Sequence, residues 1–404
     1  MKSSALLIIL FLCFSFFATA QTYNNWRGPD RDGKYPETGL LKQWPAGGPA
    51  MLWAFEGLGR GFSSAIPANE KIYVTGMEGD IGFVYELSKQ GQLLRKFPYG
   101  QEMGGNYPGS RSTPTVAGNL MYIATGEGTL VCIDLSTGTE KWSRDLFNEF
   151  DGKNIRWGFT ENLIIDGDII YCAPGGKKNN IIALHRITGK LIWSSEGKGN
   201  LSAYCSPLLI NHGGRKILIN MMHSNIVGLD ASTGRLLWSY PYANQRNIHP
   251  NSPIYYDGYL YCFSGYGMGG VQLKLSADGN SVSKQWFDKK LDNQIGGAVL
   301  LDGYIYGSGN RNRFWYAIDW QTGESVFETR DIDIGTVIYA DGMLYAYTQR
   351  GELALLEPQN GGFRVVSKTT VELGSDQHWA HLVIDNGILY VRHGNALMAY
   401  DIKK

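Results

Sequence analysis

Long apolar runs are absent from this 404-residue chain once its N-terminal segment has passed. No later stretch approaches the ~20 apolar residues that a transmembrane helix needs. The early run, from Ala5 to Ala18 behind Lys2, leads into the small residues ATA and is typical of a secretory signal peptide. We therefore predict cleavage after Ala20, an exported body that is periplasmic or secreted, and no transmembrane segment.

An excess of charge of one sign is also absent, because 37 lysines and arginines balance 37 aspartates and glutamates. Nucleic-acid partners demand a basic surface that meets their phosphates, so this balance excludes that class. Cysteine is scarce, and only Cys132, Cys172, Cys205 and Cys262 follow the signal peptide. Since Cys172 and Cys262 fall at the same strand position of separate repeats, we expect buried free thiols rather than disulfides.

What the sequence does contain is an internal repeat of about 45 residues. A hydrophobic residue followed by tyrosine recurs after a Gly or Asn turn, from Ile72-Tyr73 to Leu389-Tyr390, and one unit (215–220) lacks the tyrosine. The strands around this pair are short, rich in β-branched and aromatic residues, and bounded by turn residues. This period is typical of four-stranded propeller blades, and the pattern predicts eight of them.

A second recurring phrase describes how each blade ends. GLDASTGRLLWSY (228–240) has close parallels at 132–142, 183–193 and 317–327. In each, a Thr-Gly turn joins two strands, and its glycine adopts positive φ at little cost. The strand after the turn ends on an aromatic residue, such as Trp193 or Trp238, which we expect to pack between adjacent blades.

The two ends of the repeat region complement each other. The last unit stops at LMAYDIKK without a fourth strand, whereas an orphan strand, AMLWAFEG (50–57), precedes the first unit and carries Trp53. This strand should complete the last blade and remove exposed sheet edges. We predict an all-β, eight-bladed propeller of four-stranded antiparallel blades at 50–404, behind a signal peptide (1–20) and a Pro/Gly-rich leader (21–49) that lies over one face.

These phrases resemble the tryptophan-docking motif of the pyrroloquinoline-quinone (PQQ) repeat family over roughly residues 50–404. Exported propellers of the PQQ-binding-like or polyvinyl-alcohol-dehydrogenase-like type are the most similar, through NWRGPDRDG, SRSTPTVAGNLMY, RWGFTENLIIDGD, APGGKKNNIIAL and HWAHLVIDNGILY. The family includes quinoprotein alcohol dehydrogenases and the propeller of outer-membrane β-barrel assembly. The resemblance therefore implies the fold and leaves both catalysis and scaffolding open.

Polar residues collect just before the predicted inner strands, whose starts face one mouth of the central channel. Counting back from the proline of SPI (252–254) and its equivalents places two rows of residues on one strand face, by period-two alternation. We predict ligand-binding roles for the polar and aromatic residues in or beside these rows, namely Arg111, Arg156, Trp157, Glu161, Asn251, Gln294 and His381. We predict catalytic roles for Asp333, His249 and His378.

Three kinds of function are compatible with these residues. The first choice is binding of a small molecule or glycan at the mouth, without quinone chemistry that sequence can demonstrate. The resemblance implies a second, a PQQ- and Ca²⁺-dependent alcohol or sugar dehydrogenase with Glu161 and Asn251 as metal ligands, although vicinal cysteines and CxxCH are both absent. The third is a carbohydrate-cleaving hydrolase or lyase, or a scaffold that meets an envelope protein.

Overall fold

The computed structural model describes residues 23–404, so the predicted signal peptide lies outside the described residues. Strands and turns make up this part of the chain, and no helix capable of crossing a bilayer occurs within it. The strands form eight sheets. The eight-bladed β-propeller expected from the repeat is thereby confirmed.

Blades 1 to 4 each run in chain order from the channel outward. Their strands are β4 (Ile66–Ala68), β5 (Lys71–Glu78), β6 (Ile81–Ser88) and β7 (Leu93–Gln101); β8 (Thr115–Ala117), β9 (Leu120–Ala124), β10 (Thr129–Asp134) and β11 (Thr139–Asp145); β12 (Ile164–Asp166), β13 (Ile169–Cys172), β14 (Ile181–His185) and β15 (Leu191–Ser195); and β16 (Leu208–His212), β17 (Arg215–Met222), β18 (Asn225–Asp230) and β19 (Leu236–Pro241).

Blades 5 to 7 repeat this order, and blade 8 takes its outermost strand from the N-terminal side. The strands are β20 (Ile254–Tyr256), β21 (Tyr259–Ser264), β22 (Gly269–Leu275) and β23 (Val282–Asp288); β24 (Ala298–Leu301), β25 (Tyr304–Ser308), β26 (Trp315–Asp319) and β27 (Ser325–Thr329); β28 (Gly335–Ala340), β29 (Met343–Thr348), β30 (Glu352–Gln359) and β31 (Gly362–Thr370); and β32 (Val383–Asp385), β33 (Ile388–His393), β34 (Ala396–Asp401) and β3 (Ala50–Phe55).

The ring closes through β3 and β34, as the sequence predicts. The two strands are antiparallel, with Ala50 opposite Asp401 and Phe55 opposite Leu397. No other blade joins strands so distant in sequence among its four main strands. This pairing joins both ends of the repeat region. It gives blade 8 its fourth strand and thereby closes the ring.

Trp53, Trp142, Trp193 and Trp286 dock on the turn of the next blade, and Trp238 packs between blades 4 and 5, as predicted, but without a hydrogen-bond partner for its indole N–H. The indole N–H of Trp193 donates to the carbonyl of Ala231 at 3.0 Å, and that of Trp142 donates to Arg186 at 2.8 Å. A Cβ built on Gly234, whose φ is +75°, would lie 2.4 Å from the Trp193 ring. Glycine is therefore required both for the turn and for the close approach of the ring. The four cysteines are buried and free, as expected.

The first part of the leader (23–35) pairs with inner strands at the channel instead of lying over one face, whereas Glu37, Leu40 and Lys42 lie on turns at one end of blades 7 and 8. Strand β1 (Tyr23–Asn24) pairs with β8 of blade 2, and β2 (Lys34–Tyr35) pairs in parallel with β28 of blade 7. Between them Trp26 and Arg27 are only 6% and 4% exposed. Inner strands present unpaired backbone groups to the channel, and the leader satisfies part of that edge.

Substitution of two glycines with the same backbone conformation separates the energetic cost of a positive φ from the cost of crowding the docked tryptophan. Gly234 and Gly214 both have φ of +75°, but a Cβ at Gly214 would meet nothing within 4 Å. We predict that Gly214→Ala lowers the free energy of unfolding by about 1–2 kcal/mol, the cost of a left-handed alanine. Gly234→Ala should cost about 1–3 kcal/mol more because of overpacking against Trp193. Urea denaturation measures both, and equal losses would contradict the docking role.

Candidate functional site

A cavity of about 350 Å³ occupies one mouth of the channel. Its wall consists of loops that lead from the outermost strand of one blade to the innermost strand of the next, together with the turns that carry Tyr266 and Gln349, and the leader forms its floor. Seven aromatic side chains line it: Trp26, Phe62, Tyr107, Trp157, Tyr204, Tyr266 and Trp379. Such a concentration of aromatic surface in one concave site is typical of ligand pockets.

The aromatic side chains form two groups above the floor. In one, the Trp379 ring lies 4.9 Å from Phe62 and 5.2 Å from Tyr107, measured between ring centroids. In the other, Trp157 and Tyr204 lie 6.1 Å apart, and the Tyr204 hydroxyl accepts a hydrogen bond from the Trp157 backbone N–H at 2.9 Å. These contacts hold the rings in place without a ligand.

Three of the lining tyrosines have left-handed backbones. Tyr107, Tyr204 and Tyr266 have φ values of +57°, +68° and +61°. Every other non-glycine residue with positive φ in the described chain is Asn, Asp, Glu or Arg. A bulky residue in this region is a strained outlier that the surroundings must enforce, and such strain collects at functional sites.

The floor is fixed by the buried Arg27. Its guanidinium donates to the carbonyl of Ala298 at 2.7 Å, to that of Val337 at 3.3 Å, and to Nδ1 of His381 at 3.2 Å. Because Nδ1 accepts, His381 is the Nε2–H tautomer, which donates to the Ile295 carbonyl at 3.1 Å. Burial, and then the Arg27 charge, holds the pKa of His381 well below its usual range, so this ring is neutral.

Hydrogen bonds between neighbouring loops stiffen the wall. The backbone N–H of Ser64 donates to the Thr113 hydroxyl at 2.9 Å, and that of Thr113 donates to the Asn162 amide oxygen at 2.7 Å. The Asn162 amide in turn donates to the Ser206 hydroxyl at 2.8 Å. These successive hydrogen bonds link the loops before blades 1 to 4 around the channel. They orient one face of each loop toward the channel.

Arg111 supplies the one full charge of the lining. Its guanidinium lies 5.3 Å from the Phe62 ring centroid and donates to the Tyr107 carbonyl at 2.6 Å, while its Nε is buried without a partner. Glu102, which interacts electrostatically with Arg111, is buried and bonded to Tyr99 and Gly126, and burial raises its pKa to about 7. No carboxylate of residues 23–404 lines the cavity.

Four of the predicted ligand-binding residues line this cavity: Arg111, Trp157, Gln294 and His381. Arg156 lies beside it, with its guanidinium 5.1 Å from the Trp157 ring centroid. Phe62, Trp26 and Trp379 are lining residues that the sequence reasoning missed. The sequence did contain an indication of them, because each lies in a loop or in the leader, where an aromatic residue does not belong to a blade strand.

Glu161 and Asn251 lie behind the channel wall. They are 1% and 0% exposed, and neither lines a cavity. The residues next to them, Asn162 and Pro250, do line it. A shift of one residue along an extended segment moves a side chain to the opposite face, so Glu161 and Asn251 point into the blades although Gln294 of the counted rows faces the cavity.

A calcium ion does not fit the predicted ligand pair. Glu161 Oε1 and Asn251 Oδ1 are both buried without partners, which makes each a conceivable donor. However, these two oxygens supply only part of a Ca²⁺ ligand shell, and burial raises the pKa of Glu161 to about 8 while no cation is bound. The described residues also contain no cluster of three or more His, Cys, Asp or Glu that suits a metal, and Ca²⁺ takes six to eight oxygens. We derive no PQQ chemistry at these residues.

None of the three predicted catalytic residues lines the cavity, and each has partners of its own. Asp333 pairs with Arg313 and, at 3.1 Å, with Arg350 in a separate surface pocket. His249 is buried against the Ser264 hydroxyl at 2.8 Å, and burial lowers its pKa to about 4. His378 accepts or donates a 2.6 Å hydrogen bond with Tyr347 and stacks on His393. Their catalytic roles stay predictions.

Comparison with known proteins places the chain in a family. A family model described as outer membrane protein assembly factor BamB matches residues 52–329. The chain belongs to this family. BamB of Kangiella koreensis is 26% identical over 181 residues, and BamB of Shewanella oneidensis is 24% identical over 301, covering 44% and 69% of this chain. The matches span 42% and 66% of those two relatives.

Solved structures share the fold. BamB from Moraxella catarrhalis aligns with a TM-score of 0.62 and 15% identity, covering 87% of this chain and 99% of that one. A quinohemoprotein alcohol dehydrogenase from Pseudomonas putida HK5 aligns with a TM-score of 0.67 and 13% identity, covering 94% and 80%. Identities this low show the fold alone. The structural alignments confirm the predicted resemblance to PQQ-repeat propellers.

The raised pKa of Glu161 predicts how the stability of the protein changes with pH. Its folded pKa of about 8 exceeds the ordinary 4.5, so the folded state keeps a proton that the unfolded chain releases between these pH values. Stability should fall as pH rises through this window. Relative to Glu161→Gln, the wild type should lose up to about 1.4 kcal/mol per pH unit in urea denaturation. Glu102 titrates in both proteins and cancels, and parallel pH profiles would contradict a raised pKa.

The Arg27 contacts predict how firmly the leader is held. Arg27→Ala removes four hydrogen bonds from a charged donor, three of them to the propeller and one to Asp32 of the leader, each worth about 1.5–3 kcal/mol. Amide hydrogen exchange in residues 23–35 should therefore accelerate at least about tenfold, while exchange in the outer strands stays unchanged. Lys34→Ala is the matched control, because its pair with Asp32 is exposed and 3.6 Å long. Equal exchange in the two variants would show that Arg27 does not anchor the leader.

Proposed function

We propose that this protein is a binding propeller that takes a saccharide or a similar small ligand in the aromatic cavity at the channel mouth. The observation that carries the proposal is the set of three strained tyrosines, because their left-handed backbones are costly and all three line the same cavity. Flat aromatic faces suit the apolar faces of sugar rings, while amides and hydroxyls of the lining suit their hydroxyl groups.

The lining offers contacts for binding rather than groups for proton transfer. It contains no carboxylate, and its one histidine is neutral with both ring nitrogens engaged. Burial raises the pKa of Tyr204 to about 12, which keeps its hydroxyl neutral as well. A glycosidase needs two carboxyl groups across the bond that it cleaves. These features favour binding over the hydrolase or dehydrogenase alternatives.

A scaffold in envelope assembly is the second candidate. The family match and the BamB relatives favour it, and so does the leader, which blocks the channel below the cavity. In this case export to the periplasm follows from the predicted signal peptide and an envelope protein is the partner. Co-purification with an outer-membrane assembly protein, together with failure of every saccharide to bind, would favour this candidate over the first.

The test is calorimetric titration of the mature protein with neutral trisaccharides, including α-1,4-galactotriose. We predict saturable binding that Trp157→Ala weakens about five- to thirtyfold, the equivalent of about 1–2 kcal/mol. Tyr256→Ala is the control, because Tyr256 is 60% exposed beside the opposite end of the channel. An affinity that Trp157→Ala leaves unchanged, or no binding at millimolar concentrations of any saccharide, would contradict the proposal.

A further inference from the structure

We propose that the ligand is an acidic oligosaccharide, an inference that rests on the proposed function and names its substrate class. A second cavity of about 220 Å³ adjoins the first. The two share Trp157, Tyr204 and Ile248 as lining residues, so Trp157 and Tyr204 form the boundary between them. A ligand of more than one sugar unit reaches from one cavity into the other across this boundary.

Positive charge without a facing carboxylate distinguishes the second cavity. Arg156 and Arg246 line it, and no Asp or Glu does. Neither arginine has an ion-pair partner among the residues that the structure describes. Glu127, in the turn between β9 and β10, lies outside the cavity and accepts a hydrogen bond from Asn154 at 3.0 Å.

Arg111 continues this charge into the first cavity. Like Arg156 and Arg246, it makes no ion pair in residues 23–404, and one of its nitrogens is buried without a partner. The two adjoining cavities therefore hold three arginines and no carboxylate in their linings. Unpaired arginines along a cleft attract anions, and the guanidinium matches a carboxylate in a two-point hydrogen bond.

The position of the charges favours a sugar acid over a small inorganic anion. The Arg156 guanidinium lies 5.1 Å from the Trp157 ring centroid, so the cation stands beside the aromatic platform. A free anion would use the arginines and leave the aromatic surface without an occupant. A uronic acid carries a stacking ring and a carboxylate in one unit, and it engages both.

The experiment compares trigalacturonate with α-1,4-galactotriose, which has the same linkage and ring without the carboxylates. Both are titrated into the mature protein by calorimetry in 0.1 M and 1 M NaCl. We expect trigalacturonate to bind at least about tenfold more tightly in low salt, with most of this preference lost in 1 M NaCl because charges are screened beyond about 3 Å.

Substitution then locates the charge. The double variant Arg156→Gln/Arg246→Gln should lose the preference, so that it binds trigalacturonate and galactotriose with similar affinity. Both side chains are exposed, so the fold should tolerate the change. Arg350→Gln is the matched control, because Arg350 is 76% exposed and belongs to the separate pocket around Asp333.

The outcomes separate this inference from the function on which it rests. Preference for the acidic trisaccharide that the double variant abolishes and Arg350→Gln retains supports the inference. Equal affinity for the two trisaccharides, weakened by Trp157→Ala, overturns it and leaves saccharide binding intact. Preference that survives in the double variant and persists when Arg111→Gln is added also overturns it, because the charge then acts elsewhere. Binding of neither trisaccharide overturns both proposals.

Discussion

Docking of a closing tryptophan on the glycine turn of the next blade recurs at four blade junctions and is the contact on which this molecule depends. Indole rings such as Trp193 fill the space between blades, and a glycine with positive φ, such as Gly234, is what lets the ring approach. Repetition of this contact sets the angle between blades, and the pairing of β3 with β34 closes the circle. The central channel exists because the ring closes.

A closed ring of eight blades leaves a channel too wide for its inner strands to fill, and the leader supplies the missing material. Arg27 is the anchor, since its guanidinium joins carbonyls of blades 6 and 7 to the imidazole of His381 in the loop before blade 8. Burial lowers the pKa of Arg27 to about 10, so it remains charged at neutral pH and bonds as a cation. Trp26 next to it becomes the floor of the aromatic cavity.

The fold could be predicted from the sequence because its causes are local and repeated. The turn glycine, the docking tryptophan and the orphan strand at Trp53 each predict one feature of a propeller. All three features occur in the structure. The site was harder to predict. Arg111, Trp157 and His381 line the cavity, but Glu161 and Asn251 fall one residue out of register, because irregular loops do not keep the alternation of a strand.

The leader shows a second limit of sequence reasoning. Its glycines and prolines indicated an irregular segment, and nothing local indicated that the channel would be its partner. The contacts of Trp26 and Arg27 join residues more than 250 positions apart, which no periodic pattern encodes. Likewise the left-handed backbone of Tyr204 results from the packing around it, since a tyrosine by itself favours other conformations.

A crystal structure of the mature protein soaked with trigalacturonate would test the central claim, that the propeller mouth is a ligand site with the leader as its floor. The account predicts density for sugar rings between the Trp157 and Trp379 groups, with Trp26 unmoved beneath them and carboxylates directed at Arg111 and Arg156. An empty mouth at saturating ligand, or sugar bound elsewhere on the ring, would contradict it.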